Sequence, residues 1–451
     1  MGPELAAQVQ GRGEEVFKRL GDALETRVVD DALGRLEHAR RALLHCPPRM
    51  GAAGHVLEGI RVLDVGSFIA GPAAATVMSD FGAEVIKVEP PGAGDPYRDL
   101  VNLPGMPLSE INYPWLLDSR NKKSVALDLT VPDGREVLLT LARSADVFLT
   151  NFGPAVQSRL KLSYEDLAAV NPRLVYAALT GYGEAGEEAN KPGFDVNAWW
   201  ARSGLMELVR APDALPASSM PGMGDHPSAM ALFGAIMLGL YRRERTGRGC
   251  KVSSSLMANG AWANSVLIQA MLCGATFVPR PPRGQALNAL VNFYQCRDGR
   301  WIIFTLLREE REWERFTRAI GCPELAADPR FATTAARHAN SVALVAILDE
   351  VFTTRDWAEW REVLESHEIT FGLVCRLDDV AGDRQMAAAG LFPALEGVGL
   401  RTVTSPVEIA GEPKVAPRRA PRLGEHTDEV LRAAGYDDAA LARLRALGAI
   451  G

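Results

Sequence analysis

An α/β fold on a parallel sheet is predicted by three features: a strand, helix, strand unit over residues 60–91, further alternation of apolar runs to about residue 185, and a hairpin followed by helices beyond that. IRVLDVGSF (60–68) and EVIKVEPP (84–91) are apolar and rich in β-branched residues, as strands are. Between them, AGPAAATVMSDFGA (70–83) is a helix of small residues that can lie close against a sheet. A βαβ unit of this length joins parallel strands by a right-handed crossover. SVALDLT (124–130), REVLLTLARSA (135–145), DVFLTNF (146–152) and RLVYAALTGYG (173–183) continue the pattern, so the domain is Rossmann-like.

The remaining elements follow from spacing and breakers. Residues 14–44 carry apolar positions at helical intervals, and HCPPRMGAAGH (45–55) ends any helix there, so residues 1–56 form a helical N-terminal extension. MGDHPSAMALFGAIMLGLYRRERTGRG (223–249) predicts a buried helix with a basic last turn, and KVSSSLMANGAWANSVLIQAML (251–272) a second apolar helix. The large domain is then expected over 57–260. NFYQCRDGRWIIFTLL (292–307) reads as two strands joined at Asp298-Gly299, and 308–392 as mainly helical, giving a smaller α-rich α+β domain over 285–392. A loop and two short helices over 393–451 are expected to return to the large domain.

Composition narrows the function. With 451 residues, 47% hydrophobic, 23% charged and a formal charge of −7, the chain has an ordinary soluble balance and no bulk basic character for nucleic acid. The cysteines (46, 250, 273, 296, 322 and 375) form no CxxC pair and no zinc spacing, so reduced thiols in the cytoplasm and no metal are expected. No apolar run reaches the roughly 18 residues of a membrane span, and the N-terminus lacks a secretory pattern.

Chemistry concentrates on KPGFDVNAWW (191–200). Its one carboxylate, Asp195, lies between a Gly/Pro hinge and an aromatic pair, and by residue type alone it is either a nucleophile or a helix cap. The first βα turn, GSFIAGP, lacks the GxGxxG triplet, which argues against NAD or FAD.

LEGIRVLDVGSFIAGPAAATVMSDFGAEVIKVEPPGAGDPYR, SRNKKSVALDLTVPDGREVLLTLARSADVFLTNFGP, LVYAALTGYG, PGFD, GD (224–225), ERTGRG and LGEHTDEVL occur in one order over residues 57 to about 435. In these blocks the chain resembles the class III CoA-transferases, a family that includes formyl-CoA and carnitine CoA-transferases and the α-methylacyl-CoA racemases. The resemblance implies an interlocked homodimer of large and small domains, with coenzyme A bound on the large domain as the acyl-CoA substrate. It makes Asp195 the catalytic aspartate, which passes CoA from an acyl-CoA to a carboxylic acid through aspartyl anhydride and thioester intermediates. It also places Ser67, Phe68, Ala70, Arg120, Lys122, Asn151, Phe152 and Arg159 at the CoA site and Tyr182 near the reacting centre. Phe194 stands where the racemase branch carries histidine, and Ile69 stands where the formyl-CoA branch carries glutamine, which argues against racemisation and against oxalate as acceptor. Trp199 and Trp200 suit a larger or more apolar acyl group. An isomerase or racemase of the same fold, and a non-catalytic CoA-binding protein, are the alternatives.

Overall fold

The computed structural model describes residues 54–277 and 280–451; the helices expected over 14–44, the extension as far as residue 53, and Cys46 lie outside them. His55–Gly451 form one compact body.

Six strands make one sheet in the order β3-β2-β1-β4-β5-β6. They are β1 (Arg61–Asp64), β2 (Glu84–Glu89), β3 (Lys123–Ala126), β4 (Val147–Thr150), β5 (Val175–Thr180) and β6 (Cys250–Ser255). Every neighbouring pair is parallel. Strands covered on both faces are apolar in both directions, as the fully buried β4 and β5 are. Val62, Val85, Val147, Val175 and Ala177 enter the core on one side, and Leu63, Ile86, Phe148 and Tyr176 the core on the other.

Helices fill both layers. On the first face lie α1 (Ala70–Asp80), α2 (Tyr113–Ser119) and, further along the chain, α4 (Asp225–Thr246); on the second lies α3 (Pro132–Ala142). Every residue of α1 is buried, as its small side chains allow. The long helix α4 was expected to be buried but is so on one face only, through Ala229, Leu232, Ile236 and Leu240, whereas Leu238 and Tyr241 are exposed. Its Arg243 pairs with Asp146 at 2.7 Å, tying the helix to the start of β4.

The stretch expected to be helical from residue 251 begins instead with β6, followed by α5 (Leu256–Ala263) and α6 (Ser265–Leu272). KVSSS pairs only with β5 and is half exposed, so it carries too little apolar character to announce a strand beside the apolar run that follows.

The hairpin at Asp298-Gly299 is present as β7 (Phe293–Gln295) and β8 (Trp301–Phe304), antiparallel. A third strand, β9 (Phe371–Leu373), pairs with β8 inside the stretch expected to be helical; three residues are too few to display a period. Helices including Glu309–Ala319, Ser341–Phe352 and Trp357–Ser366 pack on this sheet around Tyr294, Phe304, Phe316, Phe352 and Trp360.

The last segment returns to the large sheet. His426 Nδ1 accepts from Ser124 N–H, Thr427 Oγ1 accepts from Ala126 N–H, and Leu127 bridges Ile450, so edge strand β3 is covered by residues 424–450. Leu431, Leu441 and Leu444 complete the second core. Among the described residues no helix is long and apolar enough to cross a membrane.

Candidate active site

Strand order reverses at β1, which pairs with β2 on one side and β4 on the other, and in open parallel sheets ligands bind in the crevice at the carboxyl ends of such strands. The turn after β1 and the turn after β4 meet there. Ser67 N–H donates to Asn151 Oδ1 at 2.9 Å, and Asn151 Nδ2 donates back to the Ser67 carbonyl at 2.7 Å. Ser67, Phe68, Ala70, Asn151 and Phe152 are thus brought together.

Phe68 has φ of +61°, a left-handed conformation uncommon outside glycine, so something must hold it. Its N–H donates to Asp95 Oδ1 at 3.0 Å. Asp95 Oδ2 lies 2.7 Å from Lys87 Nζ, a charge contact inside the protein, and Lys87 also donates to the Gly66 carbonyl. Asp64 and Asp95 keep Lys87 protonated, its pKa raised against a burial that would lower it. The ring so placed meets Phe194 edge to face, centroids 5.3 Å apart.

Lys122 and Arg120, expected at the CoA site, are instead held in buried ion pairs. Lys122 Nζ bonds Asp64 Oδ2 at 2.8 Å and the Pro72 carbonyl at 2.7 Å, and burial pushes its pKa down. Arg120 grips both oxygens of Asp80 at 2.9 and 2.7 Å. A buried charge needs such a partner, which leaves these side chains supporting α1 from beneath instead of facing solvent. Arg159 is exposed in the helix Pro154–Leu160, with no ion-pair partner among the described residues. Tyr182 is buried beyond β5, with Lys191 Nζ 5.0 Å from its ring centroid.

Asp195 opens a π-helical turn, Asp195–Ala201. The wide turn shows in Arg202 N–H reaching the Asn197 carbonyl, five residues back, and such turns are frequent at functional sites. Asn197 Oδ1 accepts from Phe194 N–H at 2.7 Å, so capping falls to Asn197 and frees Asp195. The carboxylate is 6% exposed, and its Oδ2 accepts from Gly224 N–H at 3.0 Å. Among the described residues Oδ1 accepts no hydrogen bond. The cap reading of Asp195 is therefore not what its side chain does in its own turn.

Further groups complete the centre. Asp225, first residue of α4, has its pKa pushed up to about 7 by burial and by the charge of Asp195. His226 lies with Nδ1 3.0 Å from the Gly222 carbonyl and Nε2 3.1 Å from Asp118 Oδ1. Asp118 Oδ2 accepts from the Tyr97 hydroxyl at 2.6 Å, and burial and that carboxylate raise the Tyr97 pKa. Asp118 and His226 are 108 residues apart, so no spacing rule links them.

A buried carboxylate with one oxygen held and one free, beside a switch-point crevice, is equipped for nucleophilic attack. The family model for CoA-transferase family III matches residues 57–427. The chain belongs to CoA-transferase family III. It is 31% identical to the (R)-2-hydroxy-4-methylpentanoate CoA-transferase of Clostridioides difficile, over 85% of this chain and 96% of that one. It is also 31% identical to the cinnamoyl-CoA:phenyllactate CoA-transferase of Clostridium sporogenes, over 85% and 94%. A solved CaiB/BaiF family protein from Brucella suis superposes with a TM-score of 0.74 at 27% identity, covering 85% of this chain and all of that one. As a family III CoA-transferase the protein is an enzyme that acts on acyl-CoA and carboxylate substrates.

Proposed function

We propose that this family III CoA-transferase moves CoA by covalent catalysis at Asp195. The free Oδ1 attacks the thioester carbonyl, the C–S bond breaks, and a mixed anhydride and CoA thiolate result. The thiolate then attacks the aspartyl carbonyl, releasing the first acid as carboxylate and leaving an aspartyl-CoA thioester. An incoming carboxylate attacks that thioester carbonyl and expels the thiolate, which takes the acyl carbon of the new anhydride. The new acyl-CoA leaves and the Asp195 carboxylate is restored. Anhydride and thioester are of comparable activation, so the steps run both ways provided water is excluded.

The observation that carries this reading is the presentation of Asp195: buried at the crevice, one oxygen fixed by Gly224 N–H, the other unengaged. Ser67, Phe68, Ala70, Asn151 and Phe152 would line the CoA site, with aromatic surface for the nucleotide, and exposed Arg159 would meet phosphate. Phe68 and the exposed Phe194 make the rim apolar, which favours acids with a branched or aromatic side chain over oxalate. Domains 57–260 with 393–451, and 285–392, would close over it, in a homodimer and in the cytoplasm, where the free cysteines stay reduced. Racemisation needs a free base on each face of the α-carbon, and both ring nitrogens of His226 are engaged.

Asp195→Ala is expected to lose transfer by at least about 10³-fold in kcat. Incubation of the parent enzyme with cinnamoyl-CoA, followed by digestion and mass spectrometry, is expected to place the adduct on the peptide carrying Asp195. Near-parental turnover by Asp195→Ala sinks the mechanism.

A further inference from the structure

The turn Gly222–Gly224 delivers the N–H that meets Asp195, yet its own residues do little to fix it. Gly222 has φ of +81° and neither glycine has a side chain to anchor it. The turn's Gly224 end is held by Ser228, whose N–H and hydroxyl donate to the Gly224 carbonyl at 3.2 and 2.7 Å, and its Gly222 end by His226. Its backbone N–H donates to the Gly222 carbonyl at 3.1 Å, and its ring lies over Gly222, where a Cβ would fall 2.8 Å from Nδ1.

The ring has two partners, and both are acceptors only: the Gly222 carbonyl at 3.0 Å from Nδ1 and Asp118 Oδ1 at 3.1 Å from Nε2. Neutral imidazole has one N–H and can satisfy only one of them. Both contacts coexist only in the imidazolium. Asp118 is in turn fixed, Oδ2 by the Tyr97 hydroxyl at 2.6 Å and its backbone carbonyl by the Thr76 hydroxyl at 2.5 Å. The chain Tyr97–Asp118–His226–Gly222 therefore runs from the 3-10 helix Pro96–Asn102 through α2 and the start of α4 to the turn that touches Asp195.

We propose that His226 is a positioning residue: as an imidazolium clamped between Asp118 and the Gly222 carbonyl, it holds the turn whose Gly224 N–H orients Asp195, so that transfer declines when the ring gives up its proton. The inference rests on the reading of Asp195 as nucleophile.

Charges around the ring favour the clamp. Asp118 faces it from α2 and Asp225 from its own helix, with Asp195 beyond Gly224. Arg120 lines the same cavity but is held by Asp80. α1 and residues 403–406 bring no titratable group to that cavity. Burial opposes the charge, but the Asp118 hydrogen bond and charge prevail, and the His226 pKa is pushed up to about 9. Since this lies above the ordinary histidine value, the clamp is closed through neutral pH and opens as pH rises through 9.

Two measurements test it. In histidine ¹⁵N NMR of the whole protein, the His226 ring is expected to stay imidazolium up to about pH 9, and Asp118→Asn to return its titration towards about 6.5. With cinnamoyl-CoA and phenyllactate, kcat is expected to fall on a basic limb near pH 9. His226→Gln is expected to abolish that limb and lower kcat about tenfold at pH 7.5, with the KM for cinnamoyl-CoA changed less than about threefold. A ring titrating near 6.5 in the parent, or a His226→Gln enzyme with the parental kcat and basic limb, overturns the proposal. Because the ring titration is read without turnover, a failed clamp is distinguishable from a failed nucleophile, which Asp195→Ala reveals.

Discussion

Gly224 combines two tasks that a side chain would set against each other. Its N–H holds Asp195 Oδ2, and its Cα lies against the Trp199 indole, where a Cβ would fall 2.6 Å from Cγ. Trp199 cannot retreat easily, since its own backbone is pressed by Gly260 of α5. Gly224→Ala must therefore shift either the indole or the turn, and the N–H moves with it. We expect kcat to fall about 10²-fold and stability to drop by about 1–3 kcal/mol, read by steady-state kinetics and urea unfolding; an enzyme with unchanged kcat would show that the Asp195 contact is incidental. At this scale Asp195 stood out as a candidate because it was the one carboxylate in a distinctive stretch. Its surroundings were not: Gly224 comes 29 residues later, and the Asp118–His226 contact spans 108, distances closed only by the fold. Lys122 misled for a related reason, because a lysine in a polar stretch gives no sign that Asp64 will draw it inside.

Among elements, the first βα turn shows how a left-handed position is held at a residue other than glycine. Phe68 is kept left-handed by Asp95, Asp95 faces Lys87 on β2, and Asn151 after β4 closes the other side. Removing Lys87 leaves Asp95 a buried carboxylate without its cation, so Lys87→Met should cost about 3–5 kcal/mol. The double variant Lys87→Met/Asp95→Asn, which removes both charges and keeps an oxygen for Phe68 N–H, should recover a good part of it. Equal unfolding midpoints for the single variant and the parent would refute that account. Strands β4 and β5 announced themselves by continuous apolar runs, β1 and β2 by their β-branched residues, and α1 by its small residues. β6 and β9 did not, because an edge strand and a three-residue strand owe their form to their neighbours and not to their own composition.

Over the whole molecule, an uncovered apolar surface marks what a single chain leaves unfinished. Helix α6 has the sequence SVLIQAML yet buries none of its residues, with Val266 79% exposed beside Trp262 at 79% on α5. Exposed apolar area of this kind marks an interaction surface, and the proposed second copy would cover it. Val266→Glu should shift the protein towards monomer in multi-angle light scattering while its far-UV spectrum is unchanged; a parent that is already monomeric would remove the case. The covering of β3 by residues 424–450 has a consequence in time. Ser124 and Ala126 find their partners 302 and 301 residues later in the chain. At translation rates of about 5–20 residues per second, that edge waits roughly 15–60 s on the ribosome before its cover exists. The nascent sheet is thus held open at one margin for most of synthesis, and that margin is where a chaperone would find a bare strand to shield.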